Sequence, residues 1–179
     1  MRRDAADNRY AIVTATRQLL IDEGPDVSMR TIAKAAKVGV APVTRHFPER
    51  TELLNAVSEQ TVSEIADVIA DRSVEFTVDT RRAWRGTVHE IGRLQLAVFV
   101  GARQGVVDKH DAKLREIYGS LLAPVKHAKL CPANLDPSEL HFALSTLSAS
   151  AARERERLTH TLIDTLLDGW EAQAHSAEY

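Results

Sequence analysis

The sequence predicts an all-α protein: an N-terminal three-helix domain holding a helix-turn-helix, followed by a larger helical unit. Three observations predict it. Apolar residues recur at three- and four-residue spacing in almost every segment, where strands would need strict alternation. Within the twenty residues Ser28 to Phe47, two short helical patterns flank a tight turn. Helix punctuation is clear at Gly24-Pro25 and at Asp136-Pro137-Ser138-Glu139.

Taken in order, Ile12, Thr16, Leu19 and Leu20 share one face of a first helix that stops at Gly24-Pro25. Ser28 caps a second helix whose apolar face is Ile32, Ala33 and Ala36; Val38 and Gly39 make the turn; and Val43 and Phe47 carry a third helix inward. That leaves Val40, Ala41, Thr44 and Arg45 outward, with His46 near the end. After Pro48, a helix starting near Thr51 carries Leu53, Leu54, Val57, Ile65, Val68 and Ile69 to about Asp71. From Asp79 a long helix bears Trp84, Val88, Ile91, Leu94 and Val98, and closes in the stretch Gly101 to Gly105. Asp108 caps a shorter helix with Leu114, Ile117, Tyr118, Leu121 and Leu122, which Pro124 and the Cys131 to Asn134 loop interrupt. Asp136, Pro137 and Glu139 then place a cap, a first-turn proline and a first-turn carboxylate ahead of a helix to about Ala151. The last helix, about 153–174, has two apolar stripes: Leu158, Leu162, Thr165, Leu166 and Gly169 on one side, and Ile163, Leu167 and Trp170 on another. One stripe suffices to pack a surface helix, so the second is open to burial within the subunit or to a subunit contact.

At 179 residues and 44% hydrophobic content the chain can bury a substantial core, and the expected division is 1–49 and 50–179. A net charge of −2 conceals a local imbalance: between Arg30 and Arg50 stand Arg30, Lys34, Lys37, Arg45 and Arg50 against the single anion Glu49. Phosphate attraction acts over a Debye length of roughly 8 Å, so an acidic remainder does not forbid binding to DNA. A single cysteine, Cys131, excludes an internal disulfide framework, and the absence of a long apolar run or a signal-like start points to a cytoplasmic protein with no membrane partner. Arg2 and Arg3 read as a disordered polar tail in preference to a minor-groove arm.

The segment Ile12 to Val57, above all VGVAPVTRHFPERTELLNAV from Val38 to Val57, resembles the DNA-binding domain of the TetR family of bacterial transcriptional regulators. Lys37 stands where that family commonly has Gly, Thr44 where it has Tyr, and Pro42 where it often has Thr. A non-glycine residue in a left-handed turn costs about 1 kcal/mol. The other two departures remove hydroxyls from the outward face. Carried across position by position, the resemblance implies that Val40, Ala41 and Thr44 face bases. It implies that Arg45, His46 and Arg50 lie near phosphates, and that Ser28 and Arg30 open the supporting helix beside the strand.

The same resemblance implies a homodimer joined through its final helices, which selects the Leu158, Leu162, Thr165, Leu166 and Gly169 stripe as subunit contact and a palindromic operator as the DNA partner. It also implies a cavity for a small-molecule effector, with Trp84, Val88, Phe99, Tyr118 and Phe142 as candidate walls and His89 and Gln95 as polar anchors. The functional expectation is a ligand-responsive regulator, a repressor released by its effector. The alternative is a helical small-molecule-binding protein or enzyme with a vestigial helix-turn-helix. No cofactor is expected. His110, His127, Cys131 and His141 fall in one region but match no zinc-finger spacing, and no phosphate loop, nucleophile elbow or zinc-protease His-Glu pair is present.

Overall fold

The computed structural model describes the backbone of residues 2–24, 26–103, 110–149 and 156–176, and the side chains of 6–24, 26–94, 110, 112–147 and 158–176. The expectations resting on Gln95, Val98, Phe99, Asp108, Ala151 and Arg153 therefore fall outside the described side chains or residues. Among the described residues there are nine helices: α1 (Arg2–Glu23), α2 (Met29–Ala35), α3 (Val40–His46), α4 (Arg50–Asp71), α5 (Ser73–Val78), α6 (Thr80–Arg103), α7 (Asp111–His127), α8 (Pro137–Ala149) and α9 (Glu156–Ser176). None of them is long and apolar enough to cross a membrane.

The head forms because α1 to α3 each offer one apolar face to a common centre. Ile12, Val13 and Leu20 of α1 meet Ile32 and Ala33 of α2, Val43 of α3 and the adjoining Phe47. Leu53, Leu54, Ala56 and Val57 from the first turns of α4 complete this core, whereas Val62 and Ile65 of the same helix enter the second one. The division between the two cores thus lies within α4. α4 opens one residue before the expected Thr51, because Glu49 and Glu52 form a reciprocal capping box. α1 begins at Arg2, so the anticipated disordered tail is helical: neither Gly nor Pro interrupts Arg2 to Ala11.

One helix was not anticipated, and two other expectations are corrected. α5 is a separate six-residue helix that sequence periodicity did not reveal, since it buries no residue; Asp79 then caps α6 by accepting from the Arg82 amide at 2.9 Å. α6 runs through Gly101, which read as punctuation, to Arg103. α7 passes through Pro124 to His127. A proline this late forfeits one ladder bond, and the last turn is held by the buried Val125 and Leu130. The α7 terminus closes as a Schellman motif, with Leu130 N–H donating to the Val125 carbonyl at 3.1 Å and Lys129 N–H to Lys126 at 3.0 Å. α8 starts as its sequence dictates: Asp136 Oδ1 accepts from the Ser138 and Glu139 amides at 2.6 and 2.9 Å, and Glu139 accepts from the Asp136 amide at 2.9 Å.

The second core is built around α6. Trp84, Val88 and Ile91 pack against Tyr118, Leu121 and Leu122 of α7, Leu140 and Leu144 of α8, and Ile163, Leu167 and Trp170 of α9. Burying each such side chain contributes about 1.5–3 kcal/mol. The α6–α9 seam is also polar. Arg85 reaches Asp164 and Asp168, each at 2.6 Å, His89 Nε2 lies 2.9 Å from Asp164, and Arg81 pairs with Glu171. The Trp84 and Trp170 rings stack at 6.4 Å, and those of His89 and His160 at 4.7 Å. Hydrogen bonds from His89 and then Arg85 hold the Asp164 carboxyl below its ordinary range against the opposing effect of burial, while the Asp168 and Asp164 bonds raise the Arg85 guanidinium.

Candidate nucleic-acid interface

The α2–α3 turn fixes what α3 presents. Val38 N–H donates to the Ala33 carbonyl at 3.0 Å and Lys37 N–H to Lys34 at 3.2 Å, with Lys37 left-handed at φ 57°. This is the strained position the sequence places under Lys37. Gly39 precedes α3 without a side-chain cap, and Pro42 in the first turn gives up an amide that would have had no helical partner. The burial of Val43 and Phe47 then turns Val40, Ala41, Thr44 and Arg45 to solvent, Val40 at 44% exposure.

Each outward group has a distinct chemistry. Val40 and Ala41 offer methyl groups of the kind that meet a thymine methyl. The Thr44 hydroxyl lies 3.3 Å from the Val40 carbonyl and 3.2 Å from that of Ala41, so its proton is engaged within the helix and its oxygen is left to accept from a base amino group. Arg30, Lys34 and Arg45 are exposed and make no ion pair among the described residues, which leaves their charge available to phosphates.

Three other predicted contacts also have partners within the head. Ser28 is the α2 cap, accepting from the Thr31 amide at 3.1 Å. Arg50 donates through Nη1 to the Val27 carbonyl at 2.7 Å and so ties the start of α4 to the loop before α2. His46 is half-buried, its ring 6.4 Å from that of Phe47. Sequence reasoning missed Arg9, whose guanidinium lies 5.2 Å from the centre of the Phe47 ring. The signal was present, since the face defined by Ile12, Thr16 and Leu20, continued back one turn, arrives at Arg9.

In the second unit the candidate ligand residues separate. Trp84, Val88 and Tyr118 lie together in the core, and His89 is half-buried at the α6–α9 seam. The side chains of Gln95 and Phe99 are outside the described ones. Phe142 is not a wall of this core: it is 73% exposed, because it stands about 200° around α8 from the inward Leu140 and Leu144. Of the candidate contact stripe, Leu158 and Leu162 are 53% and 46% exposed, Thr165 and Gly169 are exposed, and Leu166 packs partly against the core. The other stripe, Ile163, Leu167 and Trp170, is buried. Among the described residues no group of three His, Cys, Asp or Glu is arranged to hold a metal ion.

A compact helical head, a solvent-facing second helix of a helix-turn-helix and a long helix running into a separate core define an all-helical protein of the helix-turn-helix class. Residues 12–57 match the family of bacterial regulatory proteins called tetR, about a quarter of the chain. It is 37% identical over 79 residues to the HTH-type transcriptional regulator SAR0097 of Staphylococcus aureus (strain MRSA252), a match over 40% of this chain and 41% of that protein. Its fold is similar to that of a TetR transcription regulatory protein from Mycobacterium vanbaalenii, with a TM-score of 0.63, 25% identity and coverage of 94% of this chain and 98% of the other. It also shares the fold of RolR solved with its ligand resorcinol, at a TM-score of 0.56 and 16% identity over 97% of this chain and 96% of RolR. The Staphylococcus aureus and Mycobacterium vanbaalenii proteins are both named as transcription regulators.

Proposed function

We propose that the protein is a cytoplasmic, dimeric transcriptional repressor that binds a palindromic operator and leaves it when a small molecule occupies the helical unit. The observation that carries this reading is the outward face of α3, where Val40, Ala41, Thr44 and Arg45 are held by the burial of Val43 and Phe47 behind them. Two such helices about 34 Å apart read two half-sites one DNA turn apart. The dimer reading is supported by Phe142 on α8 and by Leu158 and Leu162 on α9, large apolar groups exposed on the two helices.

Release requires the two units to be coupled. Arg17 of α1 pairs with Glu64 of α4 at 2.6 Å, and α4 contributes to both cores, so a ligand that shifts α4 within the second core carries the head with it. That RolR binds a small oxygenated aromatic within the same fold supports an effector of comparable size.

The test is fluorescence anisotropy with the DNA upstream of the protein's own coding region. The reading expects tight, salt-sensitive, sequence-selective binding. Feeble binding without sequence preference would favour a ligand-binding protein with a vestigial head, and would reject it.

A further inference from the structure

Among the described residues, five buried side-chain polar atoms have no hydrogen-bond partner: Arg17 Nε, Gln60 Oε1, Trp84 Nε1, Thr87 Oγ1 and His89 Nδ1. Three of them fall within six residues of α6. Trp84 and Thr87 are one turn apart, and with Val88 and Ile91 they form a face that is buried throughout, Trp84 at 2% exposure and Thr87 at 0%. Buried donors without partners are rare in folded proteins and call for a specific explanation. Structural roles do not supply one here. The Trp84 ring already packs on Trp170 and gains nothing from an idle indole N–H. The Thr87 hydroxyl does not bond back to its own helix, as Thr16 and Thr61 do.

We propose that the Trp84 indole N–H and the Thr87 hydroxyl are the recognition groups of the effector site, and that the effector is a small neutral molecule, largely apolar, presenting an oxygen acceptor to both. This deepens the effector reading above and rests on it. Residues three apart on a helix have Cβ atoms about 5–6 Å from one another, a span that one carbonyl oxygen, or two oxygens on one small ring, can serve. Neutrality follows from the surroundings. Among the described residues no Asp, Glu, Lys or Arg is buried, and on α6 the Arg85 guanidinium and the His89 ring turn to Asp164 and Asp168, and Glu90 to Arg72. An ion entering there would lose its hydration with no countercharge to replace it.

The test combines melting and calorimetric titration of the full chain. Thr87→Val should leave the melting temperature unchanged or raise it, because a hydroxyl without a partner is replaced by a methyl of the same shape. A clear fall would show that the hydroxyl is engaged in the folded protein, and would overturn the proposal. Titrations with acetophenone, ethylbenzene, benzoate and benzylammonium should rank acetophenone about tenfold or more ahead of the other three, and Thr87→Val should reduce only the acetophenone affinity, by about tenfold. Equal affinity for acetophenone and ethylbenzene, preference for an ion, no saturable heat from any of them, or indifference to Thr87→Val would each overturn it. Failure of the broader reading looks different: acetophenone binds as expected, yet duplex affinity does not change at saturation.

Discussion

The Arg9 guanidinium sits 5.2 Å from the centre of the Phe47 ring, so the first helix of the head meets the residue that ends α3. Phe47 is buried in the core of the head, so this contact ties α1 to the end of α3. A cation over an aromatic face at an exposed site stabilises by about 0.5–1 kcal/mol. Arg9→Ala should lower the urea unfolding free energy by about that amount, whereas Arg9→Lys should retain most of it. Equal losses for the two variants would assign the effect to stem packing and not to the charge.

Lys37 and Lys129 occupy the same strained place in two Schellman motifs, at φ 57° and 55°. Glycine adopts that conformation without steric cost, so each Lys→Gly change should stabilise by up to about 1 kcal/mol. The motifs belong to different cores, and the two gains should add in urea melts of the double variant. Lys37→Gly also removes one cation beside α3, which allows the DNA affinity to fall while stability rises.

The α6–α9 seam should loosen in acid. Asp164 has its carboxyl lowered in the folded state, chiefly by His89 and then Arg85. A depressed carboxyl stabilises the fold above its unfolded value, about 3.9, and that contribution is lost as the pH falls through the lower folded value. Wild type should therefore melt above Asp164→Asn at about pH 6, with the difference shrinking below about pH 4. A difference that widens on acidification would contradict the assignment.

Leu162 tests the subunit contact. It is 46% exposed and Phe142 is 73% exposed, so neither is needed for the monomer's core. Leu162→Glu should convert a micromolar dimer to monomer in sedimentation without changing helix content, because carboxylates brought together on an apolar surface oppose association. A wild-type protein that sediments only as monomer at that concentration would remove the dimer from the account.

Much of the head was legible because its determinants are local. Ser28, the Val38-Gly39 turn and the spacing of Ile32, Val43 and Phe47 lie within twenty residues, and each acts through its immediate neighbours. The Asp136 cap was legible for the same reason. What failed depends on contacts distant in sequence. The bond from Arg50 to the Val27 carbonyl was not legible, because the two residues lie 23 apart. Phe142 read as core because an aromatic is normally buried, and nothing in its local pattern marks a face that the subunit leaves uncovered. α5 escaped notice because Val74 and Val78 face solvent and impose no amphipathic period.

The most direct test of the central claim, that α3 turns its small and cationic side chains to a duplex, is selection of bound DNA from a random duplex library by wild type and by Arg45→Ala. The account predicts that wild type enriches an inverted repeat with half-sites one helical turn apart, and that Arg45→Ala binds all duplexes more weakly with a shallower salt dependence. Recovery of no motif by wild type, or an unchanged salt slope for the variant, would contradict it.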